Sequence, residues 1–152
     1  MKKIFYILLI FSFVTTNAQI DKSIDLNWHT NFDEAKQMAN SQDKLILIYF
    51  TGSDWSQPCK LLNQDFFYTE KFQQIAKKHL VLVRVNSPRR PNLISDLQKN
   101  KNSELSTMYD QKVYPTVVLT DAQGKKLGIL ESYNYLHDTS KHYALINKVI
   151  KK

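Results

Sequence analysis

Two apolar runs separated by helical sequence constrain this chain more than any other feature. Leu45-Ile46-Leu47-Ile48-Tyr49-Phe50 is continuously apolar. A half-exposed strand would alternate, so this continuity suits a strand covered on both faces. Leu80–Val85 is a second β-rich run. Two helical stretches lie between them. Pro58–Phe67 is the first, with Pro58 tolerated in its first turn. The second is capped by Thr69 and places Phe72, Ile75 and Ala76 on one face. Strands joined through helices run parallel.

The rest of the chain extends this frame. Val117–Thr120 and Leu127–Leu130 are short strands, and Asp121-Ala122-Gln123-Gly124 supplies the turn of an antiparallel hairpin. Ile24–Trp28 is a short, weakly alternating stretch. Thr30 and Asp33 read as a capping box for a helix bearing Phe32, Ala35, Met38 and Ala39. Asn86–Pro91 is a loop broken by prolines, and Ser95–Tyr109 a polar helix with Leu97, Leu105 and Met108 as apolar points. The last helix starts near Thr139 and turns Tyr143, Ile146, Val149 and Ile150 inward. The order β-α-β-α-β-α-β-β-α predicts an α/β fold, a mixed central sheet with helices on both faces.

The first 18 residues stand apart. Lys2 and Lys3 precede the apolar stretch Ile4–Val14, and Thr16-Asn17-Ala18 offers small residues for cleavage before Gln19. The stretch is well short of the roughly 20 residues that a membrane-spanning helix needs. It reads as a cleaved signal peptide (1–18) ahead of one domain (19–152). No cysteine lies near the junction to carry a lipid. The expectation is a periplasmic or secreted protein with no stable membrane anchor after cleavage.

Charge and cysteine usage narrow the function. The net charge of +7 falls to +5 once Lys2 and Lys3 are removed, leaving 19 basic and 14 acidic residues. Apart from Lys77-Lys78, Arg89-Arg90 and Lys151-Lys152 the basic residues are scattered. This pattern argues against nucleic-acid binding. The single cysteine, Cys59, excludes an intramolecular disulfide. Four histidines, His29, His79, His137 and His142, lack ligand spacing, so no metal or other cofactor is expected. Nothing in the sequence sets an oligomeric state.

Directly after the first apolar run stands Thr51-Gly52-Ser53-Asp54-Trp55-Ser56-Gln57-Pro58-Cys59-Lys60. Together with Tyr114-Pro115-Thr116 before the hairpin and the order of elements, this resembles the thioredoxin superfamily. The stretch is similar to exported thioredoxin-like proteins that read Thr-Gly-Ser-Asp-Trp-Cys-x-x-Cys-Lys. The resemblance covers about residues 26 to 150. It implies a substrate groove along Trp55, Ser56 and the Tyr114-Pro115 loop, the family's cis-proline position, with Tyr135 as a further candidate. It also implies two cysteines: an exposed one at the helix start that attacks as thiolate, and a buried one that resolves the mixed disulfide.

Here Ser56 takes the attacking position and Cys59 the resolving one. A serine hydroxyl forms no disulfide and stays protonated without a strong base. No histidine and acid are patterned to make Ser56 a hydrolytic nucleophile, and an N-cap is its simpler role. Tyr49 stands where the family often carries a buried acid that helps deprotonate the resolver. The expected function is a redox-attenuated or non-catalytic module that binds a protein or thiol-containing client. The alternative is monothiol exchange through Cys59.

Overall fold

Alternation along the central strands divides the apolar residues between two faces of one sheet. The computed structural model describes residues 24–150. The expected leader and its cleavage junction lie outside them. The strands are β1 (Trp28–His29), β2 (Leu45–Thr51), β3 (Leu80–Asn86), β4 (Thr116–Thr120) and β5 (Lys126–Glu131), in the spatial order β1-β3-β2-β4-β5. β1, β3 and β2 are parallel, whereas β4 pairs antiparallel with both β2 and β5. The sheet is thus mixed, with β2 hydrogen-bonded along both sides.

The helices are α1 (Phe32–Gln42), α2 (Gln57–Leu62), α3 (Glu70–His79), α4 (Asp96–Met108) and α5 (Ser140–Ile150). Leu47 and Tyr49 of β2 face a cluster with Cys59, Leu62, Phe66, Phe67, Phe72 and Ile146, from α2, the turn after it, α3 and α5. Ile46, Ile48 and Phe50 face Ala35, Ala39, Leu105 and Tyr109, from α1, α4 and the residue after α4. Both faces are covered, which is why the run is apolar at every position.

Local chemistry departs from the sequence expectations at several points. The cap of α1 is Asn31 rather than Thr30: its side chain accepts from the Asp33 and Glu34 amides and donates to Glu34 Oε1 at 2.8 Å. Asn31 stands three residues before an acid that reaches back, which Thr30 does not. The first strand is only Trp28–His29. In α4, Leu97 and Met108 are exposed, and the inward residues are Leu105 and Asn102. Asn102 is tolerated there because its amide donates to Asn86 O at 2.7 Å and its oxygen accepts from Gln98.

The stretch expected as one helix over 58–67 is α2 followed by a π turn, Asn63–Phe67. Tyr68 N donates to Asn63 O at 2.7 Å, five residues back. Leu62 and Phe67 are also five apart, and both are fully buried in one cluster. The wider turn lets the adjacent Phe66 and Phe67 pack inward together. It also sets Asp65 against the segment after β5, where Tyr133 Oη donates to Asp65 Oδ2 at 2.7 Å. His137 Nδ1 lies at the same distance from that oxygen.

Candidate functional site

The end of β2 and the start of α2 are tied to the loop after β3 by a set of short bonds. Ser87 N donates to Thr51 O at 2.8 Å, and Ser53 N to Asn86 Oδ1 at 3.1 Å. Trp55 Nε1 donates to Ser87 O at 2.8 Å. Asp54 accepts from two successive backbone amides, Arg89 N at 3.1 Å and Arg90 N at 2.9 Å. These amide bonds, led by that from Arg90, hold the Asp54 carboxyl below the usual carboxylate range. The indole of Trp55 is enclosed on two sides. Tyr114 meets it edge to face with centroids 5.5 Å apart, and the Arg89 guanidinium lies 4.5 Å from its centroid.

Ser56 follows Trp55 and is 3% exposed. It occupies the N-cap position of α2, but its side chain makes no capping bond, so the cap read from sequence is only positional. Its amide instead closes the preceding turn on Gly52 O at 2.8 Å. Cys59, one turn on, has no exposed surface and lies in the core cluster with Tyr49, Leu62 and Phe66. Tyr49 is buried beside it. Its hydroxyl donates to the Cys59 carbonyl at 3.2 Å, and burial raises its pKa well above that of an ordinary phenol. A proton held this firmly does not serve a general base. Its place is structural, closing a carbonyl in the first turns of α2.

The opposite wall comes from the segment before β4. The Tyr114–Pro115 peptide bond is cis, and Pro115 O accepts from Ser132 N at 2.8 Å. The structure therefore brings together Trp55, Ser56 and the Tyr114-Pro115 segment. Tyr135 is 68% exposed and, among the described residues, stacks on none of these rings.

Several features had no legible signal. Arg84 on β3 pairs in register with Tyr49 and lays its guanidinium 4.8 Å from the Trp28 ring centroid. His142, at the start of α5, is buried between Phe66 and Tyr133, and burial lowers its pKa to about 4. Their partners come from distant parts of the chain. Among the described residues no group of three or more His, Cys, Asp or Glu side chains is arranged to hold a metal. No helix among them is long and apolar enough to cross a membrane.

A family model described as Thioredoxin-like matches residues 27–122, which hold β1 through β4 and the whole of this site. The chain belongs to the thioredoxin-like family. Among relatives, it is 33% identical over 103 residues to the disulfide bond reductase DsbH of Chlamydia pneumoniae, covering 68% of this chain and 61% of that protein. It is 22% identical to the thioredoxin-related protein DsbJ of the same organism, over 88% of this chain and 38% of that one. The chain thus spans less than two thirds of either curated relative. A solved structure named DsbH oxidoreductase superposes with a TM-score of 0.70 at 28% identity, covering 81% of this chain and 85% of that one. The mixed sheet is the thioredoxin-like fold that the solved DsbH structure shares.

Proposed function

We propose that this thioredoxin-like protein binds a protein or thiol-containing client along Trp55, Ser56, Tyr114 and Pro115, and that it does not perform two-cysteine exchange. One observation carries this reading: the chain's single sulfhydryl, Cys59, is fully buried, and the helix start before it holds Ser56. Exchange begins when a thiolate attacks a disulfide sulfur, and it ends when a second thiol displaces the first. Here the exposed first thiol is replaced by a hydroxyl. The remaining thiol lies beneath the turn, away from any client disulfide. What persists is the aromatic pair of Trp55 and Tyr114, with Trp55 pinned to Ser87 O.

The test is disulfide reduction with insulin as substrate. The protein is expected to stay near background, and Ser56→Cys to restore at least part of the activity, since Cys59 then has an attacking partner one turn away while Tyr49 still stands in place of the acid. Strong activity in the unaltered protein, lost in Cys59→Ala, would overturn the reading in favour of monothiol exchange through Cys59. Thiol labelling of the native protein separates the same two readings. Labelling only after unfolding agrees with a buried structural thiol.

The pattern of residues 1–18 supports export to the periplasm or beyond, with the domain beginning at Gln19. Intact-mass measurement of the protein from its native host is expected to show loss of Met1–Ala18. A membrane-held form retaining Met1 would refute this.

A further inference from the structure

The loop between β3 and α4 presents two guanidinium groups that are engaged only at the surface. Arg89 and Arg90 stand between Pro88 and Pro91, and both are exposed. Their backbone amides are fixed on Asp54, which accepts from Arg89 N at 3.1 Å and Arg90 N at 2.9 Å. The Asp54 side chain is only 7% exposed, whereas that of Arg90 is 72% exposed. Arg90 Nε lies 3.6 Å from Asp54 Oδ2, beyond hydrogen-bond length. Asp54 therefore serves chiefly to position the backbone and leaves most guanidinium donors unmet. Arg89 lies against Trp55, and among the described residues no carboxylate pairs with it. Trp55 in turn meets Tyr114, which precedes Pro115. The basic corner, the indole and the groove wall form one continuous strip.

Two like charges on adjacent residues repel, and a mobile loop would let them part. Here Asp54 fixes the backbone of both residues while both side chains stay exposed. The guanidinium fork matches a carboxylate in two-point geometry, and complementary charge steers partners and fixes their register.

We infer that this strip docks an acidic segment of the client: an extended stretch of polypeptide lying across Trp55 and Tyr114, whose Asp or Glu side chains meet Arg89 and Arg90. The inference rests on the client-binding reading above and adds to it the charge of the client.

The test screens a random decapeptide library on beads with the labelled protein. Trp55→Ala and the double variant Arg89→Gln/Arg90→Gln are screened in parallel, each first shown to unfold cooperatively in urea. Peptides retained by the unaltered protein are expected to be enriched in Asp and Glu. A selected peptide is expected to bind roughly three- to tenfold tighter than its Asn/Gln counterpart at about 0.05 M salt. That gap should close by about 0.5 M salt and vanish in the double variant. Peptides that depend on Trp55 but carry no acidic preference would overturn the inference and leave the groove standing. Retention of no peptide, or retention indifferent to Trp55→Ala, would refute the groove itself and the inference with it.

Discussion

Gly52→Ala tests how the aromatic wall of the groove is held. A β-carbon built at Gly52 falls 2.6 Å from Trp55 Cζ2 and 2.7 Å from Nε1, and nearer still to Cε2. These atoms belong to a ring fixed by a hydrogen bond, so the added methyl forces the indole out of its seat. Three interactions go with it. The bond from Nε1 to Ser87 O is worth about 1 kcal/mol. The edge-to-face contact with Tyr114 is worth about 0.5–1.5 kcal/mol. The contact with Arg89 adds about 0.5–1 kcal/mol at an exposed site. Urea unfolding is therefore expected to show Gly52→Ala less stable by about 2–3.5 kcal/mol. Trp55→Ala loses the same contacts and should cost at least as much. The deciding sample is the double variant. With the indole gone, the methyl has nothing to displace, so the double is expected to match Trp55→Ala within error. A double variant whose losses simply add, or a Gly52→Ala protein as stable as its parent, would refute the reasoning.

Further expectations concern the buried thiol, the buried imidazole and the pinned loop. Cys59→Ala should cost on the order of 1 kcal/mol in urea unfolding, and Cys59→Asp several times more, because the carboxylate would enter a core with no partner. His142 is held neutral in the fold with its pKa lowered to about 4, whereas the unfolded chain takes up that proton near pH 6.5. The stabilisation is thus complete above pH 6.5 and lost as pH falls toward 4, on the order of 2–3 kcal/mol. Unfolding midpoints at pH 7.5 and pH 4.5 should differ less in His142→Phe than in the parent. Asp33, Asp54, Asp96 and Asp138 have lowered carboxyl pKa values, so their contribution disappears only below about pH 4, outside that window. Asp54→Ala should bring hydrogen exchange at the Arg89 and Arg90 amides up to the rate of exposed loop amides, since both lose their acceptor. Unchanged exchange would show that the loop is held by other means.

Much of the frame was legible because burial writes itself into composition. A strand covered on both faces favours apolar side chains, and Leu45–Phe50 is a run of them whose one polar side-chain atom, the Tyr49 hydroxyl, meets Cys59 O. The hairpin was legible through Asp121 and Gly124: the Asp121 side chain accepts from Gln123 N and Lys125 N, and Gly124 takes a positive φ of 90°. Short-range periodicity fails where long-range contacts decide. Asn102 is polar yet buried, because Asn86 supplies its acceptor from 16 positions away. Phe66 and Phe67 fit a helix, a strand or a loop as adjacent apolar residues, so nothing local announces a π turn. Trp55, Ser56, Tyr114 and Pro115 stood out through their motifs, and the Trp55–Tyr114 contact is what the structure adds. The service of Asp54 was not legible, since its partners are backbone amides, and any sequence provides those.

The π turn has a consequence for comparing this chain with others. An i→i+5 bond accommodates one residue more per closure than the i→i+4 bond of an α-helix. The stretch from Asn63 to Phe67 is therefore equivalent to an α-helix carrying a one-residue insertion. Side chains after it are out of phase with those before it. In an alignment with a relative whose helix is α throughout, that relative's sequence needs a one-residue gap opposite this segment. Without one, each later residue of the turn is compared with the wrong neighbour, and Asp65, the acceptor for Tyr133, loses its counterpart. Deleting Gln64 would be the reciprocal change. It would restore even helical phase and uncouple Asp65 from the segment that now rests on it.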